Sequence, residues 1–266
     1  MGLLMRVTVL GCGPAGLAAA HAASGLLADV RIIAPKRKTP QNGPIFLNTP
    51  LPGISTDHPQ GFIKQFVVGG SIVDYGIKLY GDVNVAITRD GHLREGIHTW
   101  DIQEAYDKMW RMYSEYIEDR EVRPDEVDGL VADCDLVVST APRNLLCEAP
   151  AQHDFIYQPV AMVFHASYPD QPENTVIFNA YPDVPWIRSA RMFGHATTEF
   201  LPDRAPEEEH RIIRKPLRTN CTCHPRVKRV GRFGTWNNMS WIDTAYLDTR
   251  TALMEMIHAT EYGRIQ

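Results

Sequence analysis

Three glycines near the start of the chain have the spacing of a phosphate-binding turn. They follow the apolar run 6–10 and precede an Ala-rich stretch that opens at Pro14. In a G-x-G-x-x-G turn the first glycine permits the bend, the second lets the backbone approach a diphosphate, and the third lets the next helix lie close to the strand. The N–H groups at the start of that helix hold the diphosphate. The pattern predicts a dinucleotide site at Gly11, Cys12, Gly13, Pro14, Ala15 and Gly16.

The elements around this turn predict a parallel sheet. A second strand, 29–34, follows the helix, and a buried strand at 135–140 is expected to lie beside the first. Open α/β sheets bind ligands at the carboxyl ends of their strands, so Thr140 and Ala141 are predicted to face the cofactor. A last strand, a glycine turn and a helix over about 240–258 are predicted to complete this domain, with the helix N-terminus toward a phosphate or a flavin oxygen.

The segment after the second strand lacks the acid that often binds the adenosine ribose. It carries Lys36, Arg37 and Lys38 instead, which either meet a ribose 2′-phosphate or the FAD diphosphate, or form a solvated turn. The Pro- and Gly-rich stretch 39–54 follows. It is either an ordinary surface loop or a cofactor contact through Gly43, Pro44 and Ile45.

A second pattern, over 154–200, indicates a mostly antiparallel sheet that serves as the substrate layer. Trp186 and Arg188 at a sheet end either clamp an anionic or planar substrate, or are structural. The predicted fold class is α/β, with a Rossmann-like FAD-binding domain (1–60, 120–150 and 228–266) and a substrate-binding region (61–119 and 151–227). A capped amphipathic helix that follows Asp101 and runs to Ile117 is assigned to the core.

The composition is that of a soluble enzyme. The 266 residues are 44% hydrophobic and 22% charged, and no apolar run reaches the roughly 18 residues that a membrane span requires. Five scattered cysteines and an apolar N-terminal run that leads straight into the glycine turn predict a cytoplasmic protein. The segment Cys221-Thr222-Cys223-His224 suggests part of a metal site, but it lacks a second ligand pair at a usual spacing, so no metal is predicted.

The net charge of −5 conceals a basic stretch. Residues 211–232 contain eight Lys or Arg and no acid. Such a stretch contacts a polyanion, serves the phosphates of the cofactor, or forms a solvated loop.

Three segments together resemble known flavoproteins. The turn 11–16 resembles the flavoprotein form of the dinucleotide site, Ser139-Thr140-Ala141-Pro142-Arg143 resembles a strand end of amine oxidases and UDP-galactopyranose mutases, and Val230–Met239 resembles the mutase segment that closes over the flavin. The resemblance implies flavin contacts by Gly231, Arg232, Thr235 and Met239.

A resemblance over nearly the whole length is to small bacteriophage FAD-dependent oxidoreductases of thymidine hypermodification. It rests on the opening turn, the Lys/Arg-rich end of the second strand, Trp100-Asp101-Ile102, and the closure at 231–236. It implies oxidation of the C–N bond of a glycyl-substituted thymine in phage DNA, giving 5-aminomethyluracil and glyoxylate, with molecular oxygen as the electron acceptor. The reaction would take place in the host cytoplasm and would protect the phage DNA from host restriction.

Candidate residues for this reaction follow from amine-oxidation chemistry. Arg188 or Arg143 would bind the glycyl carboxylate, and His165 or His195 either moves protons or is structural. DNA would lie along 211–232 with the modified base flipped out. Two alternatives stay open: a mutase-like or NADPH-dependent flavoenzyme acting on a free nucleotide or sugar nucleotide, and a non-catalytic binding protein that retains FAD.

Overall fold

The computed structural model describes residues 4–38, 45–82, 96–166, 171–207 and 209–263, with side chains described to residue 260. The elements in these ranges follow one another as β1 (Arg6–Leu10), α1 (Pro14–Ser24), β2 (Asp29–Ala34), β3 (Phe46–Leu47), β4 (Gly61–Val68), α2 (Ile72–Tyr80), β5 (Ile97–Asp101), α3 (Ile102–Tyr113), β6 (Ile117–Asp119), α4 (Val127–Asp133), β7 (Leu136–Ser139), β8 (Phe155–Phe164), β9 (Thr175–Asn179), β10 (Trp186–Met192), β11 (His195–Phe200), β12 (Arg211–Thr219), β13 (Lys228–Arg229), α5 (Gly231–Thr235) and α6 (Ile242–Gly263). The chain divides into two compact units. The first comprises Met1–Thr39, Glu104–Ile156 and Pro216–Gln266, and the second comprises Pro40–Gln103 and Tyr157–Lys215.

The first unit is built on a five-stranded parallel sheet in the order β13-β7-β1-β2-β6. β1 lies between β2 and β7, with Val9 opposite Ile32 and Val138. All three side chains are buried, as expected for parallel strands covered on both faces. The predicted return of the seventh strand to the side of the first is confirmed.

Helix α1 packs against α6 in this unit. Five of its alanines are buried, and their small side chains allow another helix to approach closely: Ala18, Ala19, Ala20, Ala22 and Ala23. The helix thereby keeps its N-terminus at the carboxyl end of β1, where the glycine turn lies.

The second sheet has eight strands in the order β12-β8-β11-β10-β9-β4-β5-β3. β10 pairs antiparallel with β9 and β11, whereas β4 pairs parallel with β9. The predicted fold class, α/β with a parallel sheet and a mostly antiparallel sheet, is confirmed. The basic segment 211–219, for which no element was predicted, forms the edge strand β12.

The unit boundaries differ from the predicted domains at four places, one of which is that residues 151–156 belong to the first unit. Residues 104–119 belong to the first unit, because Ile117–Asp119 pairs with β2. Residues 46–60 belong to the second unit, where β3 pairs with β5. Residues 216–227 also belong to the first unit, in which the N–H of Asn238 donates to the carbonyl of Pro216.

Two helices end or begin elsewhere than predicted. α3 stops at Tyr113, because a 3-10 turn over Ser114–Tyr116 leads into β6. The expected glycine turn after β13 is the short helix α5, and the last helix begins at Ile242. Among the described residues no helix is both long enough and apolar enough to span a bilayer.

Candidate functional site

The turn after β1 uses each of its three glycines for a different geometric reason. Gly11 has φ of +115°, a conformation that other residues rarely adopt. A Cβ on Gly16 would lie 2.1 Å from the carbonyl oxygen of Gly11, so any side chain there would force the helix away from the strand. Gly13 is extended, and a Cβ built on it would meet no described atom within 4 Å.

Gly13 is the N-cap residue of α1. The first turn of that helix is Pro14-Ala15-Gly16-Leu17 and carries no acid, and the helix cap offers no side chain to its N–H groups. Uncapped N–H groups and the positive end of the helix dipole favour an anion. These features suit a diphosphate, and the contact of the turn with one stays a prediction.

The ends of β7 and β13 form a second wall of this site. The N–H groups of Thr140 and Ala141 both donate to the carbonyl of Leu10, at 2.9 and 3.1 Å. Gly231 has φ of +69°, and its Cβ would lie 2.8 Å from the Cβ of Ala15. Gly234 is equally close-packed, since its Cβ would lie 2.3 Å from the carbonyl oxygen of Ser139.

These contacts bring together the three segments that resemble flavoproteins: 11–16, 139–143 and 230–239. Of the remaining residues in the last segment, Thr235 donates its hydroxyl to the carbonyl of Gly231, Arg232 is half-buried and Met239 is exposed. Their contacts with a flavin stay predictions.

An acid that sequence reasoning missed lies beside the end of β2. Asp119, from the neighbouring strand β6, lies opposite Ala34 and accepts a hydrogen bond from the N–H of Lys36 at 2.7 Å. Sequence reasoning missed Asp119 because only the parallel pairing of β6 with β2 brings it to Ala34. The two residues are 85 positions apart in the sequence. The carboxylate therefore lies beside the end of β2, the strand that in dinucleotide folds leads to a ribose-binding acid.

The predicted basic turn after β2 is held in the same unit. Lys38 forms an ion pair with Asp107 of α3 at 2.6 Å, and the Cys12 thiol donates to the carbonyl of Pro35. Burial raises the pKa of the Cys12 thiol, so it stays a neutral donor. Tyr106 donates its hydroxyl to the carbonyl of Cys12 and so ties α3 to the turn.

Four of the predicted cofactor contacts lie beyond the second strand, and two of them are not located. Gly43 and Pro44 lie outside the described residues. Ile45 is exposed immediately before β3, and Arg37 is exposed after β2. Their roles toward FAD stay predictions.

The predicted substrate residue Arg188 belongs to a buried ion triad in the second unit. Glu199 is 1% exposed and accepts from Arg188 and from Lys215, each at 2.5 Å. Burial acts to raise the pKa of the Glu199 carboxyl, but the two cations together hold it below its ordinary value. The Nε of Arg188 is buried and has no hydrogen-bond partner among the described residues.

The other predicted substrate residues are placed separately. Trp186 is buried on β10, while His165 is exposed, with φ of +63°. His195 is half-buried at the start of β11. Arg143 donates to the carbonyl of Cys221, so it lies beside a cysteine-rich segment of the first unit. The catalytic roles of these residues stay predictions.

The structure separates the basic stretch 211–232 into different environments. Lys215 is buried against Glu199, and Arg229 donates to the carbonyls of Cys223 and His224. The exposed cations are Arg211, Arg214, Arg218 and Arg226. Two of these lie over aromatic rings of β8: the Arg211 guanidinium is 5.4 Å from the Phe164 ring centre, and that of Arg214 is 5.1 Å from the Tyr157 ring centre.

Solved structures share this fold. Over 97% of this chain and 95% of the other, the chain is similar to reduced UDP-galactopyranose mutase, with a TM-score of 0.57 and 13% identity. It is also similar to MibH, a lathipeptide tryptophan 5-halogenase, with a TM-score of 0.50, 14% identity, and coverage of 96% of this chain and 66% of the other. No protein-family model matches the chain, and no curated protein matches it in sequence.

The fold is therefore that of the FAD-binding, Rossmann-like flavoenzymes. It agrees with FAD, the cofactor predicted from the sequence.

Proposed function

We propose that the chain is an FAD-dependent oxidoreductase that oxidises the C–N bond of a glycyl-substituted thymine in DNA. The observation that carries the flavin part is the open backbone at Gly13, with the uncapped start of α1 behind it and Gly231 packed against Ala15. The substrate rests on the sequence resemblance and on the charge arrangement of the second unit.

In this proposal the first unit binds the cofactor through its backbone. The N–H groups at the start of α1 hold the diphosphate, and Asp119 accepts from the ribose hydroxyl. Thr140 follows β7 and Gly231 follows β13, and both keep the backbone close to the glycine turn. The flavin ring of FAD would lie against this backbone. FAD, when bound, supplies the two-electron oxidation.

The overall reaction oxidises the secondary amine to an imine, which water then hydrolyses. With molecular oxygen as the final acceptor, glycyl-substituted thymine, oxygen and water give 5-aminomethyluracil, glyoxylate and hydrogen peroxide. Arg188 is the residue we assign to the glycyl carboxylate, because its buried Nε has no described partner while Glu199 holds the other end of its guanidinium. His165 or Arg143 stays a second candidate for polar contact.

We assign DNA backbone binding to the edge strand β12. Arg211 and Arg214 are exposed cations, and the rings beneath them, Phe164 and Tyr157, belong to the adjacent strand β8. Cations that follow a strand beside partly exposed aromatic rings suit phosphates and unstacked bases. The double variant Arg211→Ala/Arg214→Ala should lower the slope of log affinity against log salt by about 2. The control, Lys64→Ala/Arg250→Ala, removes the same charge from exposed sites elsewhere and should leave the slope unchanged.

The decisive experiment begins with the absorbance of the purified protein. A yellow preparation is mixed without oxygen with DNA containing glycyl-modified thymidine, and the flavin band is followed. Bleaching, with glyoxylate formed in equal amount, is the expected result. A preparation that binds no FAD would refute the proposal. The proposal would also be refuted if the flavin stayed oxidised with modified DNA, as it should with unmodified DNA.

A second candidate is a mutase-like or NADPH-dependent flavoenzyme acting on a free nucleotide or sugar nucleotide. The near-complete mutual coverage with UDP-galactopyranose mutase favours it. Rapid bleaching by NADPH, together with no response to modified DNA, would select this candidate. A bound flavin that neither NADPH nor DNA bleaches would indicate a non-catalytic FAD protein.

A further inference from the structure

Four potential metal ligands meet in the first unit, apart from the glycine turn residues. They are the thiols of Cys147, Cys221 and Cys223 and the imidazole of His153, and all four ligand atoms lie within 4.8 Å of one another. The Sγ of Cys147 lies 3.6 Å from that of Cys221 and 3.9 Å from that of Cys223. The Nδ1 of His153 lies 3.1 Å from the Cys147 sulfur and 4.0 Å from the Cys223 sulfur.

These separations match a tetrahedral zinc ion. Zn–S bonds of about 2.3 Å and a Zn–N bond of about 2.0 Å place two sulfurs about 3.8 Å apart, and a sulfur and a nitrogen about 3.5 Å apart. The two sulfur–sulfur distances lie close to the first value, and the two sulfur–nitrogen distances lie on either side of the second. A disulfide needs about 2.05 Å between sulfurs, and all three cysteines are free thiols.

The backbone around the four ligands is irregular but strongly held. The hydroxyl of Thr219 accepts from the N–H of Cys221, and the side chain of Asn220 accepts from the N–H of Asp154. The second bond joins the residues that directly follow His153 and directly precede Cys221. Neither 140–154 nor 220–227 contains a regular helix or strand, so a metal would add a cross-link to the hydrogen bonds that join these segments.

The charge around the cluster suits thiolates. Arg143 donates to the carbonyl of Cys221, and Arg229 donates to the carbonyl of Cys223. Three thiolates and one Zn²⁺ carry a net charge of −1, which these two guanidinium groups would offset. Cys147 and Cys221 are buried, and His153 and Cys223 are half-buried. Four protein ligands leave no open position, which is the pattern of a structural rather than a catalytic zinc site.

We propose that Cys147, His153, Cys221 and Cys223 bind one structural Zn²⁺. The ion would join the connection between β7 and β8 to the connection between β12 and β13. β13 pairs with β7 and leads into Gly231, so the ion would steady the wall of the flavin site without touching it. This differs from the sequence-based prediction of no metal, because Cys147 and His153 are a ligand pair that lies about 70 residues before Cys221.

The test measures metal in the full-length protein purified without chelators. Elemental analysis should find about one zinc per chain, and a mercurial thiol reagent should release it. Cys223→Ser should abolish stoichiometric zinc. Cys134→Ser is the matched control, because Cys134 lies outside the cluster and its thiol donates to backbone carbonyls, and it should keep the zinc.

A second measurement covers the case in which Cys223→Ser does not fold. Cobalt exchanged into the wild-type protein should show the intense visible bands of tetrahedral, thiolate-bound Co²⁺, at longer wavelength than the flavin band. Wild-type protein without metal, or with cobalt bands of a six-coordinate ion, would overturn the proposal. Zinc that survives Cys223→Ser but is lost in Glu148→Gln would also overturn it, because the ion would then belong to the neighbouring group of Asp128, Glu148 and His224. None of these three outcomes bears on the flavin reaction.

Discussion

The glycine turn of the first unit and the ion triad of the second are built on opposite principles. At the turn, Gly11, Gly13 and Gly16 serve by having no side chain, and the backbone makes the site. In the triad, Glu199 is almost fully buried between Arg188 and Lys215, and the charges make the site. The turn should therefore be sensitive to added volume and insensitive to pH, whereas the triad should be sensitive to lost charge and to acid.

The largest effect is expected where the backbone is most closely packed. Gly16→Ala places a Cβ 2.1 Å from a carbonyl oxygen that cannot move without shifting the turn, so we expect a loss of about 4 kcal/mol in the free energy of unfolding. Gly129→Ala is the control, because a Cβ in that helix meets nothing described within 4 Å and alanine favours helix by up to about 1 kcal/mol. Urea denaturation measures both. Equal stability of the two variants would contradict the close packing.

The next effect is on the triad. Glu199→Gln leaves two cations facing each other without their carboxylate, so we expect a loss of about 3 kcal/mol, measured in the same denaturation experiment. Glu173→Gln is the control, since its partner Arg191, which also belongs to β10, is 46% exposed and such pairs contribute at most about 1 kcal/mol. A cost at Glu173 as large as that at Glu199 would show that burial is not the cause.

Gly13→Ala separates binding from folding at the turn. Because Gly13 is extended and its Cβ position is open, the fold should lose less than about 0.5 kcal/mol. The methyl group would occupy the space of the diphosphate, so the FAD dissociation constant should rise at least about tenfold, which is about 1.4 kcal/mol. Fluorescence titration of flavin-free protein measures this. Unchanged affinity would place the diphosphate elsewhere.

The smallest effect is on pH dependence. Since the pKa of the Glu199 carboxyl is lowered in the fold, its stabilisation is fully present above the unfolded pKa of about 4.3 and is lost as the pH falls through the lower folded value. One carboxyl accounts for a slope of at most about 1.4 kcal/mol per pH unit. Thermal unfolding from pH 5 to pH 3 should show a shallower decline for Glu199→Gln than for the wild type. Gly13→Ala should follow the wild-type decline.

Sequence reasoning located the elements whose signals are local. The first strand, the glycine turn, α1 and the second strand lie within thirty residues, and the capping signal at Asp101 stands directly beside the helix that it begins. It missed the end of α3, because the pairing of Ile117 with Ile32 outweighs a helical pattern that continues past Tyr113. Sequence reasoning also predicted no helix or strand for 211–219, a segment rich in cations that forms the edge strand β12.

Asp119 beside Lys36 shows why part of the candidate site could not be predicted. The acid expected at the end of β2 is absent from that strand but present on the neighbouring one. The order of the strands in the sheet brings Asp119 to Lys36, and neither segment taken alone predicts that order. The same holds for Glu199 and Lys215, which meet only because β11, β8 and β12 are neighbours in the sheet.

The sequence alone determined the glycine turn, since steric freedom at Gly11 and Gly16 is a property of single residues at fixed short spacing. It also determined the α/β class, because periodicity and strand composition are local. Tertiary structure alone decided which charges became buried partners and which stayed on the surface, and it alone brought Cys147 and His153 to Cys221 and Cys223. The physical reason is that chemistry between side chains depends on distance in space, which a linear pattern records only when the partners are close along the chain.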